Sequence, residues 1–197
     1  MNERMDQLAE GVLVEMARNG RSDAFMELAR RLEDRVRAVI YGMTRNAQDS
    51  DDLTQETFLY AYRSVKGFKG NSSFYTWVYR IAVNLTLNFL KKKGREKGRE
   101  SYEDGLAHLE SEGSLARSPE RDSMRKELQT KLDEAVAGLG GPYRAAFSLV
   151  ALQGMSHGQA AEVLGCSENT VSWRMHKARK MLQAKLRPFL EEAGDAL

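Results

Sequence analysis

The sequence lacks the features that stabilise a secreted protein or anchor one in a membrane. Its 197 residues include a single cysteine, Cys166, so no disulfide can form within the chain, which fits a reducing compartment without establishing one. No apolar run reaches the roughly 18 residues that a membrane span needs. The N-terminus, MNERMDQLAE, is too charged for a signal peptide. Apolar and polar residues never alternate for long, which argues against strands. The sequence therefore predicts an all-α, cytoplasmic protein that is not membrane-embedded.

The residue patterns of an enzyme are also missing. The three histidines are scattered, and no cysteine pair could complete a metal site with them. There is no glycine-rich phosphate loop after a strand and no nucleophile elbow. Asp51, Asp52 and Glu56 could be metal ligands, but the helix dipole also favours acidic residues at a helix N-terminus. We therefore predict no catalytic site, no metal, no cofactor and no small-molecule substrate.

Charge is nearly balanced overall, at +2, but is unevenly distributed. Residues 91–99 hold six basic residues and one acidic residue, residues 99–123 three basic and seven acidic, and residues 174–187 six basic and none acidic. The acidic stretch loses helical periodicity and gains glycine and serine, as linkers do. We predict two small helical domains, residues 1–98 and 123–197, joined by a flexible linker at 99–122. Two basic patches favour a nucleic-acid partner.

The N-terminal domain is predicted to begin with three helices. Leu8, Val12 and Met16 lie on one face of the first, and a long amphipathic helix follows it. The third, DSDDLTQETFLYAYRSVKG, has a core stripe and a second face that mixes apolar and charged side chains. Such a face favours docking to another protein, although packing on two sides within the domain is an alternative. The second face comprises Asp52, Leu53, Glu56, Leu59, Tyr60 and Arg63.

The stretch FKGNSSFYTWVYRIAVNLTLNFLKKKGR, residues 68–95, joins a polar loop, a run of aromatics and a basic tail. Ser72 or Ser73 can cap a helix whose core face is predicted to start at Phe74. A neighbouring stripe suits nucleic acid, because cations neutralise phosphates and aromatic rings stack on unpaired bases. Alternatively, its indole is a core residue and its lysines are a solvated helix end. The stripe consists of Trp77, Arg80, Asn84, Asn88 and Lys91.

The C-terminal domain contains the pattern of a helix-turn-helix motif. Ser156 and Gln159 form a predicted capping box, Gly165 supplies the turn, and Ser167 caps a basic last helix. Val171, Met175, Ala178 and Leu182 should point inward. In this motif the second helix enters the major groove, so its opposite face is predicted to contact bases and phosphates. That face includes Asn169, Ser172, Trp173, Arg174, His176, Lys177, Arg179 and Lys180.

Three segments resemble one protein family. NGRSDAFMELARR, then DLTQETFLYAY with FKGNSSFYTWVYRIAVN, and finally HGQAAEVLGCSENTVSWRMHKARKML are similar in content and order to bacterial group 4, or extracytoplasmic-function (ECF), RNA polymerase sigma factors. The resemblance implies a subunit that binds core RNA polymerase and promoter DNA and is controlled by an anti-sigma factor. It also implies a linker that threads toward the polymerase active-site channel.

The resemblance assigns residues to three sites. The surface for the clamp coiled coil of the polymerase would be Asp52, Leu53, Gln55, Glu56, Leu59 and Arg63. The −10 element, where a flipped base is received, would be contacted by Phe68, Lys69, Gly70, Asn71, Ser72, Ser73, Phe74, Tyr75 and Asn84, extended by Trp77, Arg80 and Lys91 of the basic and aromatic stripe. The −35 element would be contacted by Ser167, Asn169, Thr170, Ser172, Trp173, Arg174, His176, Lys177, Arg179 and Lys180.

The recognition helix departs from many relatives in one respect. Where they have a cation before Ser-Arg, this chain has Ser172-Trp173-Arg174, so a cation is lost and an indole gained. We predict that Trp173 contacts sugar or thymine methyl groups and shifts the −35 preference. The main alternative to a sigma factor is a self-sufficient dimeric helix-turn-helix regulator, which would leave the loop at residue 68 and the third helix unexplained.

Overall fold

The computed structural model describes the backbone of residues 5–100 and 119–194 and the side chains of residues 5–95 and 127–189. Within those ranges every regular element is helical, as predicted. The helices are α1 (Glu10–Arg18), α2 (Ser22–Thr44), α3 (Ala47–Ser64), α4 (Phe74–Glu100), α5 (Pro119–Ala137), α6 (Gly141–Phe147), α7 (His157–Leu164) and α8 (Glu168–Gly194). A π-helical turn, Ser148–Leu152, continues α6. Most of the predicted linker, 99–122, lies outside the described residues.

Two predicted helix starts are confirmed by their hydrogen bonds. The amide of Thr76 donates to Oγ of Ser73 over 3.0 Å and so caps α4. The amide of Gln159 donates to Oγ of Ser156 over 3.1 Å, and the Ser156 amide donates to Oε1 of Gln159 over 2.9 Å. This reciprocal pair is a complete capping box for α7. Gly165, with φ of 62°, ends α7 in the left-handed conformation and makes the turn of the helix-turn-helix motif.

The predicted face of the first helix was wrong in part. A turn interrupts the helix before Glu10, so the phase expected from a continuous helix does not apply. Leu13, Val14 and Ala17 are the buried residues of α1, whereas Val12 of the predicted face is exposed.

The N-terminal turn is held by a charged cluster on α2. The Arg31 guanidinium donates to three backbone carbonyls of residues 5–8 and, from Nε, to Glu27 over 2.7 Å. Arg30 donates to the other carboxylate oxygen of Glu27 over 2.9 Å. Hydrogen bonds from Arg30 and then Arg31 lower the pKa of Glu27 to about 2. The cluster therefore remains charged down to acidic pH.

The C-terminal unit, α5 to α8, is built on the face of α8 that was predicted to point inward. Val171, Met175, Ala178 and Leu182 are all buried. Ala178 and Leu182 form a small cluster with Ala135 and Val136 at the end of α5 and with Leu139 just after it. Val171 and Met175 belong instead to the main core, which extends from the N-terminal unit.

The two helical units therefore pack directly on one another. A single cluster of buried residues includes Ile40 and Val78 from the N-terminal unit and Ala146, Leu149 and Ala161 from the C-terminal unit. Helices α2 and α4 provide the N-terminal side of this contact, and α6, its π-helical turn and α7 provide most of the other side. No periodicity in the sequence predicted this contact, because it joins faces that each look like an ordinary core stripe.

Candidate polymerase and promoter interfaces

The outer face of α3 is a mixed apolar and charged surface, as predicted, but with one correction. Leu53 is only 4% exposed and packs into the core, so it cannot contact a partner directly. Leu53 lies on the buried side of α3, against which α2 and α4 pack. Leu59 and Tyr60 are the exposed apolar residues, at 49% and 55%. The other exposed members of the predicted surface are Asp52, Gln55, Glu56 and Arg63.

The N-terminal edge of the same surface is ordered by a salt bridge. Arg37 Nε of α2 donates to a carboxylate oxygen of Asp51 over 2.5 Å. The hydrogen bond from Arg37 lowers the pKa of Asp51 below its ordinary value. Asp51 is thus paired with α2, while Asp52 and Glu56 on the same helix remain exposed.

The loop before α4 packs on a cluster of aromatic rings. Phe68 and Phe74 are buried, with ring centroids 5.8 Å apart, and the half-buried Trp77 lies 5.1 Å from Phe68 and 5.5 Å from Phe74. These two phenylalanines were predicted to contact the −10 element, and their burial shows that they support the loop instead. The side chains available on the loop are polar: Lys69, Asn71 and Ser73 are exposed, Ser72 is half-buried, and Gly70 has φ of 73°.

Beyond the loop, α4 presents the predicted polar stripe. Asn84 and Lys91 are exposed, as is Asn88 between them. Arg80 is also exposed, but its Nε donates to the backbone carbonyl of Glu162 in α7 over 2.7 Å. Tyr75 is half-buried, with its ring 4.2 Å from that of Tyr79 and under the Arg35 guanidinium at 5.6 Å. The polar loop and the exposed part of the stripe thus follow one another along the chain, and Arg80, which lies between the loop and Asn84, touches the other helical unit.

Helix α8 presents the predicted basic face. Ser167 caps α8, accepting from the Thr170 amide over 3.2 Å, and the half-buried Thr170 has its hydroxyl 2.8 Å from that of Ser167. Arg174 is also half-buried and its Nη1 lies 3.7 Å from Sγ of Cys166. Trp173 is 53% exposed. The remaining exposed members of the predicted face are Asn169, Ser172, His176, Lys177, Arg179 and Lys180.

Charged groups join the two units beside the shared core, and sequence reasoning missed them. Arg45, at the C-terminal end of α2, forms an ion pair with Asp133 of α5. Arg144 of α6 donates to the Met43 carbonyl over 3.2 Å, to the Leu139 carbonyl over 2.9 Å and to the Ala137 carbonyl, and so holds the C-terminal ends of α2 and α5 together. Burial lowers the pKa of Arg144 below its ordinary value. A lone arginine after Gly-Pro gave no signal for this role, because its acceptors are backbone atoms remote in sequence.

In the part of the chain that the structure describes, no group of three or more histidine, cysteine, aspartate or glutamate side chains could hold a metal ion. Nor does any helix in residues 5–100 or 119–194 have the length and apolar content of a membrane span.

An all-helical fold with a capped, basic helix-turn-helix and a second basic, aromatic-supported surface defines a DNA-binding transcription protein. Comparison with known proteins shows which family of transcription proteins the chain resembles. The sigma-70 region 2 family matches residues 28–96, and the sigma-70 region 4 family matches residues 129–182. The chain is 34% identical to the ECF RNA polymerase sigma-E factor of Haemophilus influenzae, over 94% of this chain and 99% of that protein. It is 33% identical to the RNA polymerase sigma-H factor of Pseudomonas aeruginosa, over 92% and 95%.

Solved structures agree with the sequence matches. CnrH in complex with the cytosolic domain of CnrY is similar with a TM-score of 0.64 and 26% identity, over 92% of this chain and 99% of CnrH. The sigma factor RpoE in complex with the anti-sigma factor NepR from Bartonella quintana is similar with a TM-score of 0.61 and 25% identity, over 83% and 96%. The chain belongs to the ECF sigma factors of RNA polymerase. It is an alternative sigma factor, and the members of this family are transcription regulators rather than enzymes.

Proposed function

We propose that the chain directs core RNA polymerase to promoters through three surfaces: the outer face of α3 for the polymerase, the loop and stripe of α4 for the −10 element, and the exposed face of α8 for the −35 element. The observation that carries the proposal is the exposed polar loop at 69–73, which packs on buried Phe68 and Phe74 and is followed along α4 by the exposed Asn84 and Lys91. A self-sufficient regulator that binds duplex operators has no use for such a surface.

The loop and stripe suit an unpaired strand. A flipped base costs a few kcal/mol of lost stacking, which a fixed pocket can offset. The aromatic cluster anchors both ends of the loop at Phe68 and Phe74, while Asn84 offers an amide that can donate to and accept from a base edge. Lys91, two turns further along α4, is in position for the phosphates on the same side. We therefore assign base capture to the loop with Asn84, and backbone binding to Lys91.

The polymerase surface combines a small apolar centre with a charged rim. Leu59 and Tyr60 supply exposed apolar area, and Asp52, Glu56 and Arg63 surround it. An interface of this kind has its energetic centre in the desolvated apolar contacts, while the rim charges select the partner. A helical partner with basic positions fits the carboxylates of this face.

The packed arrangement of the two units conflicts with simultaneous reading of both promoter elements. B-DNA rises about 3.4 Å per base pair, so elements centred at −10 and −35 lie about 85 Å apart. A helix of 27 residues such as α8 is only about 40 Å long. Units that share a core, with Arg80 bound to Glu162, must therefore separate before both elements are bound. We assign the packed arrangement to the sigma factor that is not bound to a promoter.

We further propose that an anti-sigma factor controls the chain, by analogy with the RpoE structure, which contains one. A partner that binds both units while they are packed would oppose their separation. Because polymerase and promoter are the sites of action, we place the protein in the cytoplasm.

Run-off transcription tests the central proposal. Purified bacterial core polymerase is supplied with the chain on a fragment that carries the promoter upstream of its own gene. Defined transcripts only when both proteins are present support the sigma factor function. No transcript, together with retardation of the duplex by the chain alone, would support the self-sufficient regulator instead.

Asn84→Ala tests the base-capture surface. We expect about a tenfold loss of opening at the −10 element, the order of one hydrogen bond, measured by permanganate reactivity of unpaired thymines. Closed-complex formation should change little. Gln183→Ala, an exposed amide far along α8, serves as the matched control and should behave as wild type. Equal losses of closed and open complexes in Asn84→Ala would contradict the assignment.

A further inference from the structure

The exposed indole of Trp173 has an aromatic support. It lies in the second turn of α8, on the face that otherwise presents polar and cationic side chains, and about half of its surface is open to solvent. The ring of Tyr143, from the first turn of α6, lies 5.7 Å from the indole centroid at an interplanar angle of 51°. A tilted pair at this separation is an attractive aromatic contact.

Tyr143 is itself held in place from two other sides. It is half-buried against the small core cluster of Val136, Leu139 and Leu182. Its ring carbons also lie 3.4 and 3.7 Å from the position a Cβ would take at Gly140, so the ring rests on the backbone just before α6. The Tyr143 amide donates to the Gly140 carbonyl over 3.0 Å, which fixes that turn. The tyrosine is thus a rigid base and the indole is the outer, exposed ring.

This arrangement restricts what Trp173 can do on DNA. An indole has one N–H donor and no acceptor, so it cannot form the paired hydrogen bonds by which arginine reads guanine or asparagine reads adenine. Its large surface is apolar, and the thymine C5-methyl is the apolar group that base edges present in the major groove. A freely rotating indole would lose conformational entropy on contact, which would offset most of the binding free energy of one methyl group. An indole already fixed by Tyr143 loses less entropy, so more of that free energy remains.

We infer that Tyr143 is a positioning residue that holds the Trp173 indole outward, so that the recognition helix selects thymine through its methyl group at one position of the −35 element. The inference rests on the proposed function; it adds the residue that fixes the indole, and it selects the thymine methyl from the two contacts, sugar or thymine methyl, that the sequence predicted. Contact of Trp173 with sugar alone is the competing outcome.

The test uses the complete holoenzyme and a base analogue. A randomised −35 library identifies the position at which thymine preference depends on Trp173, and promoters are then made with thymine or uracil there, which differ only by the methyl group. For the wild type, uracil should weaken promoter binding about fourfold, the value expected for burial of one methyl-sized group. Trp173→Ala should bind the two promoters equally.

Tyr143 is tested on the same pair of promoters. Tyr143→Phe keeps the ring and should retain the thymine-to-uracil ratio, whereas Tyr143→Ala should reduce the ratio to below twofold. A purely structural tyrosine would lower binding to both promoters by the same factor and leave the ratio unchanged, which would overturn the positioning role. The melting temperature of each variant shows whether the unit is folded.

The possible outcomes distinguish failure of the proposed function from failure of the thymine-methyl inference. Wild-type holoenzyme that yields no defined transcript would overturn the proposed function and this inference with it. Defined transcripts with no Trp173-dependent thymine preference, or with equal binding of thymine and uracil promoters, would overturn this inference alone and leave the sigma factor function standing.

Discussion

Arg45 and Asp133 form an ion pair between the two helical units that is largely shielded from water, with side-chain exposures of 8% and 16%. Arg45 adopts the left-handed conformation, φ of 53°, as the C-cap of α2, and its amide donates to the Tyr41 carbonyl over 2.8 Å. Its guanidinium also lies over the Tyr41 ring at 5.7 Å. The Arg45 guanidinium at the end of α2 thus points toward the C-terminal unit, where it pairs with the Asp133 carboxylate.

Removing the carboxylate should weaken the contact between the units. Asp133→Ala leaves Arg45 without its counter-charge, and loss of one partner of a buried pair costs about 3 kcal/mol or more. The units can avoid that cost by separating, which small-angle scattering would detect as an increased radius of gyration. The double variant Arg45→Met/Asp133→Leu removes both charges and should recover much of the packed form. A single variant as compact and as stable as the wild type would show that the pair contributes nothing.

Gly42 and Gly94 should respond oppositely to alanine. A Cβ at Gly42 would lie 3.0 Å from Cδ1 of Leu152 and 3.2 Å from the Ser148 side chain, so Gly42→Ala should destabilise the packed form by about 1–3 kcal/mol. Gly94 in α4 has no neighbour within 4 Å of that position, and Gly94→Ala should stabilise the helix by about 0.5–1 kcal/mol. Thermal unfolding measures both. The same sign for both variants would contradict the close contact at Gly42.

The charged cluster at Glu27 predicts a pH dependence. The pKa of the Glu27 carboxyl is about 2 in the folded chain, against an ordinary value of 4.5. The contribution of Glu27 to folding stability is therefore fully present above about pH 5 and is lost as the pH falls from 4.5 through 2. The difference in urea midpoint between wild type and Glu27→Gln should therefore be constant at neutral pH and shrink in acid. Glu33→Gln, an exposed carboxylate on the same helix, controls for net charge. A difference that grows in acid would contradict the ion pairs with Arg30 and Arg31.

Substitutions on α3 should divide into two classes. Glu56→Lys and Leu59→Glu alter the exposed surface, so each should weaken binding to core polymerase at least tenfold, as hot-spot residues do, without lowering the melting temperature. Leu53→Ala should cost about 2–5 kcal/mol of stability, because it leaves a cavity in the core. Binding by fluorescence anisotropy and unfolding by circular dichroism separate the classes. Wild-type binding by Leu59→Glu would exclude this face as the polymerase surface.

Local signals predicted much of the fold. Ser156 with Gln159, Gly165 and the inward residues of α8 were correct because caps, left-handed turns and 3.6-residue periodicity act within a few residues of the chain. The errors at Leu53 and at Phe68 with Phe74 have a different origin. Helix α3 packs on two sides and the loop stands on its own aromatic cluster, and a stripe on a helical wheel does not show which neighbour will cover it.

The contact between the units was beyond sequence reasoning for the same reason. Arg144 reaches the Met43 carbonyl across about a hundred residues of sequence, and Ser148 is a buried serine that reads as a surface residue. Each belongs to a pattern that an isolated helical domain would also show. Only the assembled structure shows that two core stripes meet.

Packing of the two units also links stability to promoter strength. The apparent affinity for a complex that requires separated units is reduced by the fraction of chains that are separated, and each additional 1.4 kcal/mol or so in the contact reduces that fraction about tenfold. On the proposed mechanism, substitutions near Gly42 or Asp133 should therefore change transcription from every target promoter by a common factor, whereas those on α8 should change which promoters are chosen. A separation step of this kind would let promoter strength evolve independently of the DNA sequence that is read.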